Sequence, residues 1–244
     1  MAIALPLKLK DLLRRKLRAR LFGDRQFVDE VFNVHRIYHS FKQNGILLQT
    51  AVDIGANTGQ WAKIFKHHFP EASLLSIEAN PDNLATLQKV NPNSVQACLA
   101  EVSGEQRTFF FPNPSVERNN TGASLYREVL PGYQDPICLQ LETVTLDSFG
   151  QHFDLIKLDV QGGELDILRG STIALRHAKI VMLEVSLKQY NQSAPLAAEL
   201  IAFLHEKGFV FVAINEVLCY RNSPIQLDCC FARSSFTSLV HLDS

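Results

Sequence analysis

A glycine-rich turn follows the first apolar, strand-like run of the chain and is the clearest candidate for ligand chemistry. It reads V-D-I-G-A-N-T-G over residues 52–59, with Asp53 two positions before Gly55 and Gly59 four positions after it. Glycine lets the backbone turn sharply and approach a ligand closely. The free N–H groups at the start of the following helix then point at that ligand. The turn therefore predicts a nucleotide-like cofactor loop with Asp53, Gly55, Asn57 and Gly59 as binding residues.

The spacing of this turn departs from the usual dinucleotide-binding pattern. G-x-G-x-x-G starting at Gly55 requires glycine at two positions where the chain has Asn57 and Gln60. A nicotinamide-dependent oxidoreductase is therefore disfavoured. It remains an alternative, because it would share the strand, the loop and an acid one strand later.

That acid is Glu78, at the end of the second predicted strand. Ligands of open α/β sheets bind at this edge, where a carboxylate can accept hydrogen bonds from both ribose hydroxyls. The competing interpretation is an acid that only supports the helix beginning after Asn80. Beyond the third predicted strand, Leu99 and Ala100 are the residues expected beside an adenine ring.

A second polar cluster follows a later buried strand. The sequence I-K-L-D-V-Q-G-G-E-L-D-I-L-R-G over residues 156–170 places Asp159 and Glu164 at the carboxyl edge of the sheet. Both are candidate catalytic residues, and by strand alternation Lys157 is expected to pair with a buried acid. The structural alternatives are a hydrogen-bonded loop residue for Asp159 and a macrodipole-stabilised helix start for Glu164.

The elements that must position these residues alternate between short apolar runs and helical patterns, which is typical of a parallel sheet. We predict an α/β, Rossmann-like, seven-stranded, mostly parallel sheet with helices on both faces. Extra strands and a long loop, residues 112–136, are inserted before the fourth core strand. The predicted core strands are 50–54, 74–77, 95–99, 155–160, 180–185, 209–214 and 229–233, the extra strands are 107–111 and 137–146, and the main helices are 58–68, 164–176 and 194–207.

The N-terminal part differs in charge from the rest. Seven basic residues lie between Lys8 and Arg20, and residues 5–21 form a basic amphipathic pattern that suits an anionic membrane surface, an apolar patch of the domain or a partner subunit. A second helix is predicted over 27–42. We expect an N-terminal helical segment (1–45), a catalytic domain (46–236) and a short tail (237–244); a homo-oligomer stays open.

The composition of the whole chain limits which classes of binding partner and which compartment are expected. A formal net charge of -1 argues against a nucleic-acid partner, which normally requires a clustered basic excess. No apolar run approaches the length that spans a bilayer, and the first residues lack a secretory pattern, so a cytoplasmic protein is expected.

Taken together in this order, the motifs resemble the FkbM family of class I methyltransferases over about residues 50–185. The matching pieces are V-D-I-G-A-N-T-G, I-E-A-N-P, T-L-D-S, I-K-L-D-V-Q-G-G-E-L-D-I-L-R-G and V-M-L-E-V. One departure is Gln161, where the family usually has an acid.

The resemblance implies S-adenosylmethionine as cofactor and O-methylation of a hydroxyl, often on a sugar or a small natural product. Asp159 is then the first candidate base, with Glu164 and Glu184 as neighbours that orient the acceptor. A carboxylate cluster also suits Mg²⁺ or Ca²⁺, but the spacing does not establish a metal site. A non-catalytic partner-binding protein that retains the fold is the remaining alternative. The acceptor itself is not specified, although the long loop offers polar side chains for a polyhydroxylated one: Asn119, Asn120, Thr121, Ser124 and Tyr126.

Overall fold

The computed structural model describes residues 30–113, 122–129 and 135–236. The predicted basic helix over 5–21 and the tail 237–244 lie outside these residues. The strands are β1 Thr50–Ile54, β2 Ser73–Glu78, β3 Ser94–Gln96, β4 Cys98–Leu99, β5 Gln106–Phe111, β6 Ile137–Val144, β7 Leu155–Leu158, β8 Ile180–Ser186, β9 Phe209–Tyr220 and β10 Ser223–Arg233. The helices are α1 Glu30–Gln43, α2 Gln60–His68, α3 Pro81–Val90, α4 Glu164–Arg169, α5 Thr172–His177 and α6 Ala197–Glu206, with a 3₁₀ turn at Leu146–Phe149.

The main sheet has seven strands in the order β3-β2-β1-β7-β8-β10-β9. The first five of these run parallel, and β10 is antiparallel to both of its neighbours. The predicted seven-stranded, mostly parallel Rossmann-like sheet is therefore confirmed. The chain order reverses between β1 and β7, and this switch point opens a crevice at the carboxyl ends of the strands.

Helices cover both faces of this sheet, so the parallel strands are buried on each side. On one face α4, α5 and α6 pack over alternate strand residues such as Val52 and Ile156. On the other, α1 and α2 pack over the intervening residues, with Tyr38 and Phe65 fully buried. No helix within the described ranges is long and apolar enough to cross a bilayer.

The predicted third strand, 95–99, is divided between two sheets. Its first part is β3, which pairs with β2; its second part is β4, which pairs with β6 in a separate three-stranded sheet of order β4-β6-β5. The chain bends because Ala97 N–H donates to the carbonyl of Glu78, while Ala100 N–H donates to that of Val144. The inserted strands therefore form a wall beside the crevice.

The predicted helix 164–176 is interrupted at Gly170. A β-carbon there would lie 2.5 Å from the carbonyl oxygen of Ala100, so this position must stay small where the helix meets the β4 segment. The chain restarts as α5, whose first N–H groups donate from Ile173 and Ala174 to the carboxylate of Asp147. This cap lies in the T-L-D-S motif, which gives that motif a structural role.

Candidate active site

The glycine loop after β1 lies directly against the loop after β7. Gly55 has a φ of +76°, and a β-carbon on it would lie 1.9 Å from the carbonyl oxygen of Asp159. The N–H of Asp159 donates in turn to the carbonyl of Ile54 at 3.0 Å. Glycine is required at position 55 both by its backbone conformation and by this contact. The predicted cofactor loop and the predicted catalytic residue are therefore neighbours.

Glu78 supports the same loop from the end of β2. Its two carboxylate oxygens accept from the N–H of Asn57 at 2.6 Å and from the N–H of Asn80 at 2.8 Å. Only 6% of the residue is exposed, and burial raises the pKa of its carboxyl, partly offset by these two donors. A carboxylate offers about four acceptor sites, so lone pairs remain for a ligand. Glu78 both holds the loop and borders the cavity beside it.

The other predicted cofactor residues take different positions. Leu99 lines the cavity, whereas the N–H of Ala100 is already used in a 3.0 Å hydrogen bond to Val144. Gly59 has a φ of +89° and packs against α3, where a β-carbon would lie 2.9 Å from the Val90 side chain. Leu99 therefore faces the space a ligand would fill, while Ala100 and Gly59 shape its walls from behind.

A buried ion pair lies beneath the loop. Asp53 is fully buried, and its Oδ1 lies 3.1 Å from the ammonium nitrogen of Lys157. The same nitrogen lies 3.5 Å from Oδ2 of Asp159. Burial alone would lower the pKa of Lys157, but the charges of the two aspartates outweigh it and raise the pKa. The expected pairing of Lys157 with a buried acid is confirmed, and it arises because Asp53 and Lys157 are register partners on β1 and β7.

Glu164 closes the loop that carries Asp159. Its carboxylate accepts from the N–H of Val160 at 3.0 Å and from the N–H of Gly162 at 2.9 Å, and only 3% of the residue is exposed. Burial raises its pKa to about 7. These contacts assign Glu164 a role in shaping the loop; its contact with a substrate remains a prediction.

A cavity of about 980 Å³ lies at this edge of the sheet. One side is bordered by the glycine loop, Glu78 and Leu99. Asp159, whose side chain is 44% exposed, stands between that side and a second, polar side. The second side is formed by Glu184, which the sequence placed near Asp159, and by residues that no motif identified: Tyr190, Asn215, Glu216, Gln226 and Asp228.

Three acids of this second side are neighbours across the sheet. Asp228 of β10 is the register partner of Glu184 on β8 and of Glu216 on β9. Burial raises the pKa of Glu184 well above its usual value, and the nearby charge of Asp159 raises it further. The sequence named Glu184 as a neighbour of Asp159, but nothing in it pairs Glu184 with the hairpin of β9 and β10.

A segment of the long insertion crosses the cavity. We call residues 122–129 the strap. Its Ser124 exchanges backbone hydrogen bonds with Phe110 of β5, and at its other end Val129 N–H donates to the carbonyl of Tyr190 at 2.8 Å. The predicted binding loop thus contributes to the cavity wall.

Two of the five polar side chains predicted to bind an acceptor in this loop lie within the described residues. Within the strap, the hydroxyl of Ser124 donates to the carbonyl of Gln161 and that of Tyr126 to Asp166. Both hydroxyls are therefore used within the fold rather than held open for an acceptor. Asn119, Asn120 and Thr121 lie outside the described residues.

The described residues contain no group of three histidine, cysteine or acidic side chains arranged to hold a metal ion. Asp159 itself is contacted by Lys157 and by the side-chain amide of Gln161.

Known proteins resemble this chain in sequence and in fold. A family model described as a methyltransferase FkbM domain matches residues 53–211, more than half of the chain. Methyltransferase 1 of Beauveria bassiana (strain ARSEF 2860) is 24% identical over 184 residues, which is 64% of this chain and 68% of that protein.

Solved structures with similar folds are more distant. Methyltransferase FkbM from Methylobacillus flagellatus KT aligns with a TM-score of 0.46 and 16% identity, covering 92% of this chain and 59% of that one. An S-adenosylmethionine-dependent methyltransferase from Clostridium acetobutylicum ATCC 824 aligns with a TM-score of 0.48 and 11% identity, covering 92% and 99%. The assignment is carried by the family model, which covers both the glycine loop and the Asp159 segment. The chain belongs to the FkbM family of methyltransferases.

Proposed function

We propose that this protein transfers the sulfonium methyl group of S-adenosylmethionine to a hydroxyl oxygen of a sugar or a small natural product. The observation that carries the proposal is a single cavity shared by the glycine loop, Glu78 and Asp159. The family supplies the reaction class, and the two sides of the cavity suit a methyl donor and an acceptor.

The donor side fits the cofactor. Its features are a glycine turn leading into a helix, an acid with remaining acceptor sites, and the apolar side chain of Leu99. Backbone N–H groups at such a turn suit a charged or polar ligand end, and Glu78 suits ribose hydroxyls. We assign Asp53 and Gly59 to the support of this side, and the loop around Gly55 and Asn57 to contact with the ligand.

When bound, the cofactor provides an electrophilic methyl group whose leaving group is a neutral thioether. The oxygen–carbon bond forms as the sulfur–carbon bond breaks, and the acceptor hydroxyl loses its proton to a base. Asp159 suits that role better than its neighbours, because its side chain is the more exposed to the cavity. Both oxygens of Glu164 are engaged by the loop. Burial raises the pKa of Glu184, which favours the neutral form of that carboxyl and makes it a poorer base at the start of the reaction.

Other residues around the cavity position the reacting groups and limit the access of water. Lys157 stays charged between Asp53 and Asp159 and holds the position of both carboxylates. The strap limits the opening of the cavity, which favours exclusion of water from the reacting atoms. The polar second side, with Tyr190 and Gln226, offers hydrogen-bonding groups suited to a hydroxylated acceptor.

The test is a transfer assay with the full-length protein and methyl-tritiated S-adenosylmethionine. The acceptor panel contains neutral glycosides, aliphatic alcohols and phenols, and the methylated atom is located by NMR. The proposal predicts O-methyl products from at least one class. Methylation at nitrogen or carbon would contradict the acceptor assignment, and cofactor binding without any transfer would favour the non-catalytic alternative.

A further inference from the structure

Gln161 adopts a backbone conformation that is uncommon for a residue with a side chain. Its φ is +55°, in the left-handed region. Its carbonyl oxygen accepts from the hydroxyl of Ser124 at 2.8 Å and from the amide of Asn191 at 2.9 Å. Strained residues persist where their surroundings over-determine them, and they concentrate at functional sites. The strap and the segment after β8 together fix this residue.

The side chain of Gln161 joins two acids of the cavity. Its Nε2 lies 2.9 Å from Oδ1 of Asp159 and 2.9 Å from Oε2 of Glu184. An amide nitrogen carries two hydrogens, so it can donate one to each carboxyl group. Both acids and Gln161 itself line the cavity. The two carboxyl groups are thereby held at a fixed separation by a neutral group.

The hydrogen bonds of the Tyr190 hydroxyl are consistent with this arrangement. Its hydroxyl lies 3.0 Å from Oε1 of Glu184 and 2.7 Å from Oε1 of Gln226, but it has only one hydrogen. A protonated Glu184 would satisfy both contacts, because it could donate to Tyr190 while Tyr190 donates to Gln226. Burial raises the pKa of Glu184, which also favours the protonated form of this carboxyl.

Groups of carboxylates that converge on one point commonly do so around a divalent cation, which prefers oxygen ligands. Here the point of convergence is occupied by the amide nitrogen of Gln161. An amide supplies hydrogen bonds without adding charge, so it can hold Asp159 and a neutral Glu184 together with no metal ion between them.

We propose that Gln161 is a positioning residue: its amide takes the place of a cation between Asp159 and Glu184 and, by holding Oδ1 of Asp159, fixes the orientation of that carboxylate towards the acceptor. The consequence for catalysis rests on the proposed function, in which Asp159 is the base. The geometric part, that three side chains converge on one point, stands independently of it.

The first test uses Mn²⁺ alone as a probe, added to the full-length protein and followed by electron paramagnetic resonance. Gln161→Glu should create a three-carboxylate site and bind Mn²⁺ at least about tenfold more tightly than wild type, since ligand number and charge set the affinity. Adding Asp159→Asn or Glu184→Gln to that variant should abolish the gain. Gln140→Glu, which adds the same charge on the exposed β6, is the matched control.

Two results would overturn the convergence. One is no gain in Mn²⁺ affinity for a folded Gln161→Glu protein. The other is tight Mn²⁺ binding by the wild type that disappears in Glu184→Gln, because a cation rather than the amide would then occupy this point.

The second test uses Gln161→Asn, because asparagine tolerates the left-handed conformation but its shorter amide cannot reach both acids. With an acceptor from the transfer assay, kcat should fall roughly 100-fold, with KM for the acceptor and the affinity for S-adenosylhomocysteine little changed. An unchanged kcat would overturn the positioning role. If wild type binds S-adenosylhomocysteine and the Mn²⁺ pattern holds but no methyl transfer occurs, the proposed function fails while the convergence stands.

Discussion

The backbone at Gly55 passes so close to Asp159 that a β-carbon on the glycine would lie 1.9 Å from the aspartate carbonyl oxygen. The loop assigned to the cofactor and the residue assigned to the chemistry therefore cannot move independently. In the proposed function, this contact couples donor binding to the position of the base.

Gly55→Ala should damage both functions of this contact. A non-glycine residue in the left-handed region costs roughly 1–2 kcal/mol, and forcing a β-carbon into the Asp159 backbone adds about 1–3 kcal/mol. Thermal unfolding and calorimetric titration with S-adenosylhomocysteine measure the two effects. Gly104→Ala is the matched control, with a φ of +86° and nothing within 4 Å of the added carbon. Equal destabilisation by the two variants would show that the contact has no energetic weight.

Glu78→Ala should weaken cofactor binding by about 1–3 kcal/mol, because it removes the acceptor for ribose hydroxyls and for the N–H groups of Asn57 and Asn80. Calorimetry with S-adenosylmethionine measures the change in Kd. The control is Glu71→Ala, at an exposed acid shortly before β2. An affinity equal to that of the wild type would remove Glu78 from the cofactor site.

Asp159→Asn should bind the cofactor but turn over slowly. The amide cannot accept the acceptor proton, and loss of a general base typically costs about 10²–10⁴ in rate. Single-turnover transfer of the tritiated methyl group gives the rate, and Asp135→Asn, at an exposed position, is the control. Wild-type turnover in Asp159→Asn would assign the base elsewhere.

Glu184→Gln should make the protein more stable at alkaline pH. The pKa of Glu184 is raised in the folded state, mainly by burial, so the folded protein holds this proton more tightly than the unfolded chain. Stability from this group is present at low pH and is lost as pH rises above the ordinary glutamate value towards the folded pKa.

Glutamine mimics the protonated acid and removes that loss, so Tm at pH 8 should rise by about 2–4 °C for each kcal/mol recovered. Calorimetric scans from pH 5 to pH 9 should show a smaller fall in Tm for this variant than for wild type. The exposed Glu206→Gln is the control. A parallel pH dependence in Glu184→Gln and wild type would mean that Glu184 is ionised in the folded protein.

The parallel core could be predicted because buried strands of this kind are short, nearly continuous apolar runs. The late hairpin could not be predicted at its full length. It joins β9 to β10 through Arg221 and Asn222, both with positive φ, and the predicted strands 209–214 and 229–233 cover only its distant ends. The intervening residues include Glu216 and Asp228, whose polar side chains line the cavity and interrupt the apolar pattern.

The candidate site shows the same division between residues that the sequence could predict and residues that it could not. Glu78 and Asp159 were accessible from the sequence because each stands at the end of an apolar strand, where the topology brings ligands. Tyr190 and Gln226 reach the cavity from a loop and from an antiparallel strand, and no local motif marks them. The role of Gln161 depends on contacts with Ser124 and Asn191, which are 37 and 30 residues away along the chain.

The most direct test of the account is a calorimetric titration of the full-length protein with S-adenosylmethionine, with NADH titrated in parallel. We expect one site per chain for S-adenosylmethionine with micromolar affinity, weakened in Gly55→Ala and Glu78→Ala, and no binding of NADH. Binding of NADH without binding of S-adenosylmethionine, or affinity for S-adenosylmethionine that neither variant changes, would contradict the assignment of this cavity.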